Sequence, residues 1–318
     1  LETATIWNDF CDRCKILNDG FKACLFIHEV KNLVGVDEGL EFGNWLTNYG
    51  LLPGDPLSRK TRDTIGGWAM RDGTRVTPHA VAHFDESSHQ LYLHLGRGRV
   101  CRISAQQIEE VDNGTDGILF KATGQDPFNV DLRRLPECEF GLKVTSQSRL
   151  CNVLDANWLG NSGDQHQLYV CRFFALLLPG MFGANSIVIN SGEHRSGKTS
   201  AAVKVGWLLM GKEFGATMLN RDIKDVETTL TNDFLVVFDN TDSNKSVRGI
   251  EDLIAVAATG GSIKRRRLYS DNTMVSSHIR SQIYFTSRGK PFDRNDVVDR
   301  CITFTFGCVG VLQLLVVC

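Results

Sequence analysis

The chain has 318 residues and a formal net charge of −2, a length that suits about two domains because single cores usually stop growing below that size. So small a charge excludes a general attraction to nucleic acid, so any such binding has to come from a local basic patch. No run approaches the roughly 18 consecutive apolar residues of a membrane span, and no basic-then-apolar signal opens the chain, so no membrane partner is expected.

Ten cysteines sit at irregular spacings, mostly inside apolar runs such as Ala23-Cys24-Leu25 and Val170-Cys171-Arg172. That pattern reads as buried thiols of a soluble protein in a reducing compartment, a bacterial cytoplasm or the interior of a host cell, rather than a disulfide framework. The first residue is Leu1, not Met, which reads as a fragment or processed form.

Near the start, Cys11, Cys14, Cys24 and His28 have ligand types and spacing that suit zinc. Trp7, Phe10, Leu17, Phe21, Leu25 and Phe26 fit two short amphipathic helices broken at Asn18-Asp19-Gly20, so core cysteines are the preferred reading and no metal is assigned. Leu51 to Pro56 is a turn or linker, with a helix expected over Ser58 to Arg71. The period then changes to short alternating runs, 80–84, 90–95 and 98–103, with a further strand over Gly117 to Lys121: a small antiparallel sheet. His79, His83, His89 and His94 are scattered along it without a carboxylate arrangement and are read as solvated or edge histidines. No nucleophile and base pair stands out here, and a scaffold, partner or DNA-positioning role is expected.

A helix over Asp164 to Leu178, ended by Pro179 and Gly180, leads to the most informative stretch. Ser186 to Asn190 is apolar and β-prone. Gly192-Glu193-His194-Arg195-Ser196-Gly197-Lys198-Thr199 follows, and Ser200 onward is helix-compatible to about Met210. Strand, glycine loop with Lys-Thr, helix is the phosphate-loop pattern. Gly192 and Gly197 are expected to supply torsions that a Cβ blocks, letting N–H groups curl around phosphates at a positive helix end. Lys198 supplies a point charge to the β and γ phosphates of ATP and Thr199 a hydroxyl to Mg²⁺. About forty residues on, Asp233 to Asn240 is a buried-type strand ending in Asp239, the second expected magnesium ligand.

Ala257 to Tyr269 then places Gly260-Gly261 before Lys264, Arg265, Arg266, Arg267 and Tyr269. Ser281 to Arg288 is another strand with a polar tip, and Arg300 stands just before a last strand at Cys301 to Phe304. This ordered set, over roughly Ser186 to Phe306, resembles superfamily 3 helicases of the AAA+ class, most closely the ATPase part of viral and phage primase-helicases. The resemblance implies an α/β fold, a P-loop AAA+-like parallel sheet with flanking helices over 151–318. A smaller α+β N-terminal domain over 1–150 precedes it.

The resemblance further implies that Thr286 and Ser287 sense the γ-phosphate and that an arginine finger acts in trans: Arg300, with Arg288 and Arg294 as competitors. It places Lys264, Arg265, Arg266, Arg267 and Tyr269 on a hairpin that meets single-stranded DNA in the pore of a homo-oligomeric ring, a hexamer in the family. The implied activity is ATP-dependent DNA helicase or translocase work in phage or mobile-element replication. One residue departs from the expected pattern: after Asp239 a carboxylate should activate water, and Asn240 cannot accept that proton. Asp242 is a substitute, or hydrolysis is slow, and the alternative is a nucleotide-dependent switch or assembly module. Gly307 to Cys318, free of charge, reads either as a buried last strand or as a truncated domain.

Overall fold

The structure is a computed structural model that describes residues 3–20, 22–36, 40–121, 163–179, 181–182, 184–211, 213–219, 222–241, 249–266, 274–279 and 281–307. The chain divides into two compact units, Leu1–Arg133 and Arg134–Cys318. Arg267, Tyr269, Asp242 and the apolar stretch from Cys308 onward lie outside the described residues.

The first unit opens with helix α1 (Thr3–Arg13), followed by strands β1 (Cys14–Asn18), β2 (Ala23–Ile27) and β3 (Asn32–Gly35). Helices α2 (Leu40–Thr47) and α3 (Pro56–Asp72) and the short strand β4 (Thr74–Arg75) complete this part, with sheet order β3-β2-β1-β4. The expected helix pair is therefore corrected to one helix and a β-hairpin. Asn18-Asp19-Gly20 does break the chain, but as the turn of β1 and β2. Gly20 takes φ 90°, and its N–H reaches Asn18 Oδ1 at 3.2 Å. Ile6 and Phe10 of α1, Leu25 of β2, Phe42 of α2 and Ile65 of α3 share one core. Helix α3 begins at Pro56 rather than at the expected Ser58, because Asp55 caps it, accepting from Leu57 N–H at 2.8 Å, and Pro56 suits the first turn.

Strands β5 (Ala82–Asp85), β6 (Gln90–Gly96) and β7 (Arg99–Ile103) form the antiparallel meander that the alternating runs announce, and β8 (Ile108–Asp112), which those runs do not include, extends it. Residues 117–121 do not add a strand. A 3-10 turn at Thr115–Gly117 is followed by single bridges of Phe120 to His79 and Lys121 to Leu33. Asn113 ties this return in, its amide donating to the Phe120 carbonyl at 3.0 Å and its carbonyl accepting the Phe120 N–H at 2.8 Å. His94 is not solvated: it is buried and stacks on Phe120. His79 and His83 stack on each other, and burial pulls the His83 pKa below its usual value.

The second unit is α/β. After α4 (Gly163–Leu176) come β9 (Ile187–Gly192), α5 (Lys198–Met210), β10 (Thr217–Met218), α6 (Ile223–Asn232), β11 (Leu235–Asp239) and α7 (Ile250–Ala258). The hairpin β12 (Ser262–Arg266) and β13 (Met274–His278) follows, then β14 (Gln282–Ser287), α8 (Asn295–Val298) and β15 (Cys301–Phe306). Five strands form one sheet in the order β10-β11-β14-β9-β15, every neighbouring pair parallel. Strands buried on both faces read as unbroken apolar runs, which is why β9, β11 and β14 are legible. Ile189, Val236, Phe238, Ile283 and Phe285 share a core with Val226 and Leu230 of α6 and Leu253 and Ile254 of α7. By strand alternation Asn190 and Phe304 face the other way, where Tyr169 of α4 meets them.

Candidate functional site

Because all five strands run parallel, their carboxyl ends share one edge of the sheet. The order along that edge reverses at β9, since chain order steps away to β10 and later jumps across β9 to β15. Ligands of open α/β sheets bind at such a point. The stretch Gly192 to Thr199 stands there, between β9 and α5.

Its backbone is shaped by two left-handed residues, Arg195 at φ 65° and Gly197 at φ 83°. Gly197 is the N-cap of α5, and no side chain caps the helix, so its amide end is left for another acceptor. Gly192 differs from expectation. Its φ is not in the left-handed region; it is needed for space, because a Cβ there would meet the Phe306 carbonyl oxygen at 2.5 Å and Ser196 Oγ at 2.7 Å. The Lys198 ammonium donates to the Glu193 carbonyl at 3.2 Å, and Asn190 donates to the Lys198 carbonyl at 3.0 Å. Glu193, His194, Arg195 and Ser200 are exposed, and Ser196 is buried. Ser196 Oγ and Asn190 Oδ1 have no hydrogen-bond partner among the described residues.

Asp239 ends β11 beside this loop. Thr199 donates to Asp239 Oδ1 at 2.8 Å, and Thr286, at the end of β14, donates to the same oxygen. The N–H of Asn240 in turn donates to Thr286 Oγ1 at 3.2 Å, and the Thr241 hydroxyl to the Thr286 carbonyl at 3.0 Å. Asn240 itself takes φ 55°. The pair Thr286 and Ser287 is thereby divided: Thr286 faces Asp239, while Ser287 Oγ donates to the Gly289 carbonyl. The carboxylate and two hydroxyls are hard oxygen donors of the kind Mg²⁺ takes, so these residues fit that ion. Among the described residues no three His, Cys, Asp or Glu groups cluster as metal ligands.

The cysteine set of the first unit is taken apart by the β1 and β2 register. Cys14 pairs with Ile27 and Cys24 with Leu17, at opposite ends of the hairpin. Burial also pushes the Cys14 thiol up to about 12, which disfavours the thiolate a metal needs.

The arginines fall in different places. Arg288 follows β14 at the carboxyl edge, where Ser191 donates to its carbonyl at 3.5 Å. Arg300 precedes β15 at the opposite edge, its carbonyl accepting from the N–H of Ile187, the first residue of β9. A strand of this length puts it roughly 15 Å or more from the loop of its own chain. Arg294 pairs with Asp252 and Asp296. Lys264 is exposed on the β12 hairpin, with the backbones of Arg265 and Arg266 opposite Val275 and Met274. Ile263 anchors the base of that hairpin against the core. Behind the loop lie two residues that the sequence did not single out. Tyr169 is fully buried, and burial pushes its phenol far above the usual range. Arg172 donates to the Ser186 carbonyl at 2.8 Å and to Gln282 at 2.7 Å, and burial lowers its pKa.

No family model matches the chain, and no curated protein matches it. Among solved structures it is similar to the C-terminal region of NrS-1. An A-form apo structure matches at 11% identity and TM-score 0.40, over 72% of this chain and 59% of that one. A second A-form apo structure matches at 12% identity and TM-score 0.45, over 100% and 64%, and a further apo structure at 11% and 0.39, over 74% and 61%. The chain thus spans between 59% and 64% of the length of those matched C-terminal-region chains. Among the described residues no helix is long and apolar enough to cross a membrane.

Proposed function

We propose that the second unit is a P-loop ATPase of the superfamily 3 helicase type, a motor that moves single-stranded DNA during phage or mobile-element replication. The observation that carries this reading is the hydrogen bond of Thr199 to Asp239 at 2.8 Å, made at the switch point of a parallel sheet beside an uncapped helix end. There Lys198, which donates to the Glu193 carbonyl in the unliganded chain, would hold the β and γ phosphates of ATP, and Thr199 and Asp239 would hold Mg²⁺. The magnesium ion would supply charge neutralisation for phosphoryl transfer. Gly197 and the first turn of α5 present N–H groups to the phosphates.

Arg300 stands at the edge away from its own loop and is paired with Asp296 at 3.7 Å; as a finger it would serve a neighbouring copy, in a homo-oligomeric ring that is a hexamer by resemblance. Arg288 stands on the near edge and is the candidate for contact within one chain. The exposed Lys264 on an anchored hairpin is the start of the surface that meets DNA phosphates. The test is DNA-stimulated ATP hydrolysis with Lys198→Ala as control; activity indifferent to that change sinks the reading. Salt dependence of single-strand binding should weaken when Lys264 and Arg266 become Ala, and an unchanged slope removes the hairpin assignment.

A second reading is a nucleotide-dependent switch with little turnover. It is favoured by one residue: the chain places the exposed amide of Asn240, not a carboxylate, directly after Asp239. Tight ATP binding with negligible hydrolysis, even with DNA and at assembling concentrations, decides for it.

A further inference from the structure

The turn after β11 contains a feature that a missing proton acceptor does not explain. The ladder between β11 and β14 ends at Phe238 opposite Phe285. The next link from the β11 side is the Asn240 N–H, which reaches the side chain of Thr286 rather than a backbone carbonyl. That N–H lies in the peptide plane shared with Asp239, while φ 55° at Asn240 sets the course of the chain after it and so where Thr241 is placed. Left-handed backbone costs little for Asn, Asp and Gly and considerably more for a β-branched residue. Immediately afterwards the Thr241 hydroxyl binds the Thr286 carbonyl in a fully buried contact. Thr286 is thus held by its hydroxyl and its carbonyl, both by residues that directly follow Asp239. Its own proton goes to Asp239 Oδ1, the oxygen that also receives Thr199.

We propose that residue 240 is a left-handed pivot whose backbone fixes Thr286, so that Thr286 orients the Asp239 carboxylate toward the magnesium-binding side of the loop. The pivot's side chain is a bystander. Asn240 and Thr286 are positioning residues, and Asn stands at 240 because the position selects for tolerance of positive φ. This deepens the ATPase reading and rests on it for the ligand, but the pivot itself is a property of the unliganded chain.

The experiment uses the full chain. Thermal unfolding without nucleotide, and the magnesium concentration needed for half-maximal ATP binding by calorimetry, are measured for Asn240→Gly, Asn240→Asp, Asn240→Val, Thr286→Ser and Thr286→Val. The Gly, Asp and Ser variants should stay within about twofold of the unaltered chain in magnesium requirement. The two Val variants should need about tenfold more, the equivalent of the strain of one forbidden torsion or the loss of one held ligand. Asn240→Val should also melt earlier than Asn240→Gly.

If Asn240→Gly fails together with Asn240→Val, the amide side chain matters and the pivot is wrong. A Val variant indistinguishable from the unaltered chain overturns it as well. Should Asn240→Val not fold, Thr286→Val against Thr286→Ser cuts the same link from the other strand. If the unaltered chain binds no ATP, the nucleotide reading falls and magnesium positioning with it. The melting series still decides the pivot.

Discussion

Replacing Gly192 by Ala tests how the loop is fenced. No torsional penalty arises, because Gly192 is not among the positive-φ residues. The cost comes from contact alone: the new Cβ would stand 2.5 Å from the Phe306 carbonyl oxygen, 2.7 Å from Ser196 Oγ and 3.1 Å from Phe306 Cβ. The carbonyl belongs to the last rung of β15 on β9, where Phe306 pairs with Gly192, so it retreats only by opening that rung. Ser196 is fully buried, so its hydroxyl can yield only by turning within the core. Overpacking of closed sites costs about 1–3 kcal/mol, and two obstacles, one of them backbone, put this case at about 2–3 kcal/mol. For a unit of this size that lowers Tm by roughly 5–10 °C.

The assay is thermal unfolding together with hydrogen exchange of peptides covering 187–192 and 301–306, which should lose protection together. Gly289→Ala is the control, since nothing lies within 4 Å of a Cβ there. A Tm within about 1 °C of the unaltered chain, with unchanged exchange in both peptides, would refute the reasoning.

In the first unit, Asn113→Ala leaves the N–H and carbonyl of buried Phe120 without their partner and should cost about 2–3 kcal/mol in chemical denaturation. His83 has its pKa lowered by burial, against a smaller upward pull from Asp85. The unfolded chain therefore binds its proton first, and stability should fall as pH drops below about 6.5. Unfolding at pH 7.5 and 5.5 checks this, and His83→Gln should flatten the dependence. For the arginines, Arg300→Ala should depress hydrolysis by about 10³-fold, as loss of a finger does. If Arg300 serves a neighbouring copy as proposed, mixing the Arg300→Ala chain with the Lys198→Ala chain should recover activity, since each copy would then supply what the other lacks. Arg288→Ala mixed with the Lys198→Ala chain should show no recovery.

The second unit was largely legible because its signals are local. Strand, loop and helix around Gly192 to Thr199 are consecutive in sequence, and the doubly buried strands are continuous apolar runs. The first unit misled where burial erases period. All five residues of β2 are buried, so 23–27 shows no alternation, and Leu17 of β1 falls in line with the true helical stripe of Trp7 and Phe10 in α1. Strand β8 was missed for the opposite reason: Ile108-Glu109-Glu110-Val111-Asp112 has no buried residue. What sequence could not supply was register. That Thr286 rather than Ser287 faces Asp239, that Gly192 is needed for Phe306, and that Arg300 stands at the far edge all follow from which strand lies beside which. At Asn240 the sequence shows only a missing carboxylate; its φ of 55° is visible in the structure alone.

The pairing of β9 with β15 also sets an order of events during synthesis. Gly192 emerges from a ribosome well before Phe306, and at ordinary elongation speeds the gap is roughly 5–20 s. Through that interval the stretch that would cradle phosphate has its residues but not its far wall, and parallel partners so distant along the chain find each other slowly. Nucleotide capture is therefore expected to begin only when the last strand has closed on the first, so acquisition of ATP by a nascent chain would time-stamp completion of the sheet.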